Sequence, residues 1–374
     1  MAEFLKHYSM KIHTLSPVHI GNGEAIGKKE YIYLPWKQIV IIPDIARMYS
    51  DMRKKGMADK YQQYLLGNDP RDFGVWLKTQ GFQAGDYQRW KRYELAAGDA
   101  FLSGPTQKKQ KNIACFIKDT YGMPYVPGSS IKGMIRTALL AWEIKCNRHL
   151  YDKDAETIRQ NAGVPDNRKR YLGRETENLE VKAFHKQACP ETRLKEAVNS
   201  SMAGLIVGDS GVIPLKQLTL CQKVDYMLDG RERVLPILRE ALVPETDIYF
   251  EITIDTKICP YTMEDILQAL EEFQKMCYHY FYSRFHRGSQ APGTVWLGGG
   301  AGFLSKTVLY PLLGEEAYRT VKKVFSVTLS RKVFDEHKHE KDSALRLSPH
   351  VCKCTRYQGQ LYDMGMGRIE VIKW

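Results

Sequence analysis

The run Tyr125-Val-Pro-Gly-Ser-Ser-Ile-Lys-Gly-Met-Ile-Arg136 holds the residue types from which chains build anion sites. Pro127 and Gly128 end any strand before them, and the hydroxyl of Ser129 or Ser130 can accept an orphan N–H of a helix's first turn. Lys132 and Arg136 stand four apart, on one side of that helix, with Gly133 between them. Free N–H groups, the positive end of the helix dipole and flexible cations converge, and phosphate is the ligand that this chemistry selects. A second group, Gly298-Gly-Gly-Ala-Gly302 with Lys306, repeats the logic: small residues let backbone approach a phosphate or another chain closely, and a lysine follows in what reads as a helix's first turn. These glycines lack the Gly-Lys-Ser/Thr ending of a nucleotide-hydrolysing loop. A third group is His19, Gly21, Asn22 and Gly23, opening a loop over 21–29 that also holds Gly27, Lys28 and Lys29. That loop can drape along a nucleic-acid backbone or simply connect two strands. A fourth is the turn-rich, basic segment 98–112, with Lys108, Lys109 and Lys111.

Metal chemistry finds less support. His337 and His339, like Cys352 and Cys354, are separated by a single residue rather than the roughly two to four of a structural zinc knuckle. No metal site and no cofactor are expected, and Glu336-His-Lys-His-Glu-Lys341 reads as a solvated loop. The totals agree with an anionic partner. The chain has 374 residues, 55 Lys and Arg against 43 Asp and Glu, a formal charge of +12 and a pI near 9.1. No apolar run approaches the roughly 20 residues of a membrane span, and the N-terminus lacks a secretory leader. Eight scattered cysteines suit reduced thiols in a cytoplasm.

The elements that must position these groups read as α+β. Period-two alternation over residues 4–13 predicts a strand, and Tyr31–Leu34 and Gln38–Ile42 predict two more. Asp44 reads as the cap of a helical insertion whose aromatic residues, among them Tyr61, Tyr64, Phe73 and Trp76, belong to a core. The helix after Pro127 presents Ile131, Met134, Ile135, Ala138, Leu139 and Trp142 on one face. Segment 147–200 is highly charged and poor in aliphatics, so a solvated, partly disordered insertion is expected, with a basic cluster at Asn167–Tyr171. Strands follow at Met202–Gly208, Leu218–Val224 and Ile248–Ile254, with a hairpin signal at Asp229-Gly230, then a helix over Met263–Phe285 and a last strand at Arg368–Lys373.

Pro127-Gly-Ser-Ser-Ile-Lys-Gly133 followed by Arg136 resembles the signature of the RAMP superfamily of CRISPR RNA-binding proteins. Three further segments resemble that superfamily in the right order: Leu15-Ser-Pro-Val-His-Ile-Gly-Asn-Gly23, Leu242-Val-Pro-Glu-Thr-Asp-Ile-Tyr-Phe-Glu-Ile-Thr253 and Leu297-Gly-Gly-Gly-Ala-Gly-Phe-Leu-Ser-Lys-Thr307. The resemblance fits best the branch that caps the head of type III-A (Csm) effectors. It implies two ferredoxin-like (RRM/RAMP) βαββαβ modules, the second degenerate. One spans 1–256, with a helical insertion at about 45–120 that includes a β-hairpin thumb near 98–112 and a charged helical insertion at about 146–200; the other spans 257–374 with the glycine-rich loop. It implies a non-catalytic subunit that grips the 3′ region of the crRNA, caps the backbone filament and supports crRNA maturation. Its partners would be the neighbouring backbone RAMP subunit, other type III-A subunits and a trimming ribonuclease, with no membrane.

Two rivals stand beside that reading: a metal-independent RAMP endoribonuclease using His13, His19 and Lys132, and a subunit of a type III-B complex. No spacing confirms the catalytic set, and the loop after the first strand has Glu24 but no aspartate for target cleavage. Phe303, Leu304 and Ser305 stand where many RAMP proteins carry an arginine among the glycines. If the thumb lies across RNA, charge reversal at Lys108, Lys109 and Lys111 should weaken RNA binding and flatten its salt dependence, and an unchanged salt slope would contradict that placement.

Overall fold

The computed structural model describes residues 4–101, 111–165, 170–187, 189 and 192–373. Strand β1 (Leu5–Thr14) forms where alternation predicts it and turns Met10, Ile12 and Thr14 inward. The expected loop after it is instead an exposed strand, β2 (Gly21–Ile26), followed by β3 (Ile32–Leu34) and β4 (Ile39–Pro43). Asp44 then caps α1 (Ile45–Lys54) by accepting the Arg47 N–H at 3.0 Å. With α2 (Ala58–Leu66), α3 (Phe73–Thr79) and α4 (Ala84–Trp90), it builds a separate aromatic core in which Tyr61, Tyr64, Phe73, Trp76 and Trp90 pack on Ile32 and Ile41. The insertion returns as a strand, β5 (Lys91–Ala96), before β6 (Ile113–Phe116).

Helix α5 (Gly128–Cys146) buries Ile131, Ile135, Ala138 and Leu139, with Met134 and Trp142 partly buried against the same core. Segment 147–200 is more ordered than its charge suggests. It folds as α6 (Arg148–Asn161) and α7 (Gly173–Phe184), because its few apolar residues, Tyr151, Ala155 and Ile158, then Leu179, Ala183 and Phe184, fall on one face of each helix. Next come β7 (Leu205–Val207), β8 (Leu218–Met227), β9 (Glu232–Leu242), β10 (Asp247–Asp255) and α8 (Met263–Tyr280), which packs on α5. The rest is β11 (Thr294–Trp296), the helices α9 (Leu309–Leu313), α10 (Ala317–Thr328), α11 (Arg331–Glu336) and α12 (Asp342–Leu345), and strands β12 (Val351–Tyr357), β13 (Gln360–Asp363) and β14 (Met366–Lys373). Glu336–Lys341 is not a solvated loop: His339 within it is buried. Among the described residues no helix is long and apolar enough to cross a membrane.

These strands make two sheets. The first, antiparallel throughout, runs β11-β14-β1-β10-β7. The second runs β2-β6-β9-β8-β5-β4-β3, and β12 joins the far end of β8 with β13 outside it. Both sheets take strands from either side of 256/257, so that division is not a sheet boundary. Pro236 is tolerated inside β9 because pairing with β8 shifts register there, where no ladder N–H is required.

In the middle of the second sheet sits a charge. Glu240 on β9 is fully buried; its carboxylate accepts the Tyr93 hydroxyl of β5 at 2.6 Å and the Phe116 N–H of β6 at 2.7 Å, and it pairs with Lys118. Removing one partner of a buried pair leaves the other uncompensated. Lys118→Met should therefore cost about 3–5 kcal/mol in denaturant unfolding. Breaking the more exposed Lys145–Glu272 pair with Lys145→Ala should cost less than about 1 kcal/mol. Equal losses would contradict this role for Glu240.

Candidate nucleic-acid interface

The first turn of α5 differs from the serine-capped start that the sequence suggests. Pro127 is the N-cap, and Ser129 and Ser130 lie inside the first turn, the one exposed and the other half-buried. The Gly128 N–H donates to Asp209 Oδ1 at 2.7 Å, and Ser210 Oγ accepts the Val126 N–H at 2.8 Å. The chain thus supplies its own carboxylate at this helix start. Gly128 is there for packing: a Cβ would collide with the Val207 carbonyl oxygen and lie 2.7 Å from that of Gly208. Gly133 faces open space. Lys132 is half-buried, and burial, with Arg136 nearby, holds its ammonium below the ordinary lysine value. Arg136 is exposed and pairs with Glu180 of α7 at 3.4 Å.

The glycine-rich loop and the His19 segment prove to be one structure. Gly298 has φ +81° and lies so close to the His19 carbonyl that a Cβ would strike it. The Gly299 N–H donates to that same carbonyl at 2.7 Å. His19 itself is buried, and its Nδ1–H donates to the Glu240 carbonyl at 2.7 Å. Burial, with Arg239 and Lys306 close by, keeps the imidazole below its ordinary value and so neutral at pH 7.

Beside this loop, on the face of β9 opposite Glu240, lies a group of cations. Arg239 Nη1 is 3.8 Å from Met364 Sδ and would be 3.0 Å from a Cβ at Gly300. Among the described residues no carboxylate lies within ion-pairing distance of Arg239. Burial and the Arg239 charge hold Lys306 below its ordinary value. Lys353 pairs with Asp225 at 2.8 Å, and its side chain passes Gly302. Lys223, also near Asp225 at 3.9 Å, is pushed down to about 8 by burial and by Lys353. Lys223 and Lys353 thus share the Asp225 carboxylate beside Arg239 and Lys306 on a half-buried surface, a repulsion that a bound polyanion relieves. Arg136, Arg170 and Lys306 line a neighbouring cavity of about 150 Å³, which joins the signature helix to the glycine loop.

Other predicted residues lie apart. Asn22 and Gly23 sit on the exposed strand β2, where Asn22 bonds Glu24 at 2.9 Å. Lys111 is half-buried before β6, its N–H donating to the Tyr31 hydroxyl at 3.1 Å, while Lys108 and Lys109 lie outside the described residues. His13 is held between Asp247 at 2.7 Å and Glu245 at 3.0 Å. Arg239, Lys223 and Lys353 escaped the sequence reading, whereas Arg170 belongs to the basic cluster at 167–171, of which 167–169 lie outside the described residues. The available signal was Arg239-Glu240, two charges following the apolar run Val234–Leu238, each of which needs a partner or a ligand.

Comparison with known proteins agrees with this architecture. The family model of the RAMP superfamily matches residues 11–290. Relatives named "CRISPR system Cms protein Csm5" from Mycobacterium tuberculosis and Streptococcus thermophilus are each 28% identical to the chain, over 99% of both chains and 80% of both chains respectively. The fold is shared with a chain in a cryo-EM structure of a Csm–crRNA–target RNA ternary complex in a type III-A CRISPR–Cas system (TM-score 0.65, 22% identity, 97% of this chain and 100% of that one). It is shared also with the crystal structure of T. onnurineus Csm5 (TM-score 0.61, 21% identity, 96% and 99%).

The Lys223 ammonium loses its proton as pH rises through about 8. Affinity for single-stranded RNA at fixed salt should therefore fall between about pH 7 and 9, and Lys223→Gln should remove most of that fall. The same pH dependence in the variant would contradict the placement of Lys223 on the binding face.

Proposed function

The chain belongs to the RAMP superfamily, and from that premise we propose that it is a non-catalytic RNA-binding subunit of a type III-A CRISPR (Csm) effector. In this reading it grips the 3′ region of the crRNA, caps the backbone filament against the neighbouring RAMP subunit and supports crRNA maturation by positioning a trimming ribonuclease. The observation that carries the reading is the cation face of Arg239, Lys306, Lys353 and Lys223 beside a glycine loop seated on His19, with Arg136 and Arg170 at its edge. Such a face neutralises phosphates and makes no demand on bases, so binding is largely independent of sequence. Ser129 and Lys132 extend the Arg136 side of α5, and Gly300 gives the backbone room beside Arg239.

Two further features support the reading. The order β1, α5, β7, β10, α8, β14 with spatial order β14-β1-β10-β7 is that of a ferredoxin-like module, the frame on which RRM-type proteins bind RNA. A non-catalytic role is supported by the state of the histidines: His19 is buried, which keeps its unprotonated Nε2 from a substrate, and both nitrogens of His13 face carboxylates. A general base needs a free nitrogen within reach of substrate. The cytoplasm is the compartment that such an assembly implies.

The double variant Arg239→Glu, Lys306→Glu should lower crRNA affinity at least about tenfold and reduce the salt slope by about 2, with the melting temperature little changed. Reconstituted with the other type III-A subunits, it should leave the crRNA 3′ end open to nuclease. Wild-type protection by the variant would contradict the proposal, as would specific cleavage of a labelled repeat RNA by the purified chain that His19→Ala abolishes.

A further inference from the structure

Away from the cation face, the segment between α11 and β12 closes around a buried carboxylate. Asp342 is fully buried, and among the described residues it forms no ion pair with a lysine or arginine. Its partners are His339 Nδ1 at 3.0 Å, His350 Nδ1 and the Ser348 hydroxyl at 2.6 Å. A carboxylate taken out of water needs a positive charge facing it. Here two imidazole nitrogens converge on it from opposite ends of the segment, and the three donor atoms lie within 4.8 Å of one another. Zinc bonds of about 2 Å to nitrogen and oxygen set neighbouring ligand atoms roughly 3.3 Å apart, so the 3.0 Å between His339 Nδ1 and Asp342 Oδ2 suits an ion, while His350, hydrogen-bonded to the other carboxylate oxygen, must draw back slightly to admit it.

We propose that His339, Asp342 and His350 hold a divalent transition-metal ion, zinc by the nature of the ligands, as a structural clamp. Imidazole and carboxylate donors in an enclosed setting suit zinc better than magnesium or calcium, which prefer oxygen alone. The fourth position falls to Ser348 Oγ or to a water from the cavity of about 400 Å³ that His350 also lines. The surroundings already orient the ligands: Phe325 and Phe334 flank the His339 ring at 4.9 and 5.3 Å, and the Tyr310 hydroxyl donates to the Ser348 carbonyl at 2.7 Å. The ion ties the start of α12 to the strand β12 that follows His350, and so fastens the C-terminal helices to the second sheet. The other donor group, Cys352, Cys354 and Asp363, is different. Arg287 already pairs with Asp363, whose second oxygen accepts the Gly288 N–H at 2.8 Å, so a cation there would meet a guanidinium.

The test is elemental analysis of the full chain purified without a histidine tag, loaded with zinc and dialysed, together with its melting temperature. About one zinc per chain is expected, and a chelator should lower the midpoint by more than about 5 °C. His350→Ala should lose the metal and the chelator sensitivity, whereas Cys352→Ser with Cys354→Ser should retain both. Should His350→Ala not fold, the wild-type content and chelator shift decide alone. Less than about a tenth of an equivalent after loading, with melting indifferent to chelator, would overturn the proposal in favour of an imidazolium facing Asp342. Metal retained by His350→Ala would overturn it as well.

Discussion

A single buried carboxylate sets the geometry around the candidate interface. Glu240 stands in the second sheet shut off from bulk solvent, and the chain must bring it donors: a phenol from β5, a backbone N–H from β6 and an ammonium from Lys118. Those donors fix where the three strands lie relative to one another. The backbone carbonyl of the same residue then takes the His19 Nδ1–H, and the His19 carbonyl takes the Gly299 N–H. A chain of hydrogen bonds therefore runs from the core to the loop, and the residue before Glu240, Arg239, emerges beside it on the opposite face of the strand. Cation face and glycine loop share one support.

The glycines acquire a physical meaning that differs from a phosphate cradle. Gly128 lets the signature helix begin against the end of β7, and Gly298 lets its loop rest on the His19 backbone. In both places the close approach is between segments of this chain. The charge that an anion would meet comes instead from side chains on β8, β9, β12 and the turn that carries Lys306; partial burial depresses the proton affinity of Lys223, Lys306 and Arg239, and neighbouring cations add to it for the two lysines. Any RNA held here is held by a preassembled electrostatic surface with the glycine turns as its spacers.

Much of this was legible in the chain itself. Period-two alternation marked β1 and β10, Asp44 announced α1, and the apolar stripes of α5 and α8 stood out. Local signals of that kind depend on neighbours in sequence. The elements that escaped notice depend on distant partners. β2 has no apolar alternation and exists because β6 supplies its ladder, and β12, with Lys353 and Arg356 breaking its pattern, leans on β8. The residues of the candidate interface divided the same way. Arg136 and Lys306 stand in local motifs, but Arg239, Lys223 and Lys353 become neighbours only when three strands are laid side by side. Asp209 as the partner of the Gly128 N–H, 81 residues away, had no local sign at all.

The central claim is that a ribose-phosphate strand lies along the β9 cation face and the edge of α5. A residue-level map of ultraviolet crosslinks between this chain and a crRNA in the assembled effector tests it most directly. The account predicts crosslinks concentrated around Gly298–Lys306, in β9 near Arg239 and in α5 near Arg136. Crosslinks confined to the helical insertion between β4 and β5, with none on that face, would contradict it.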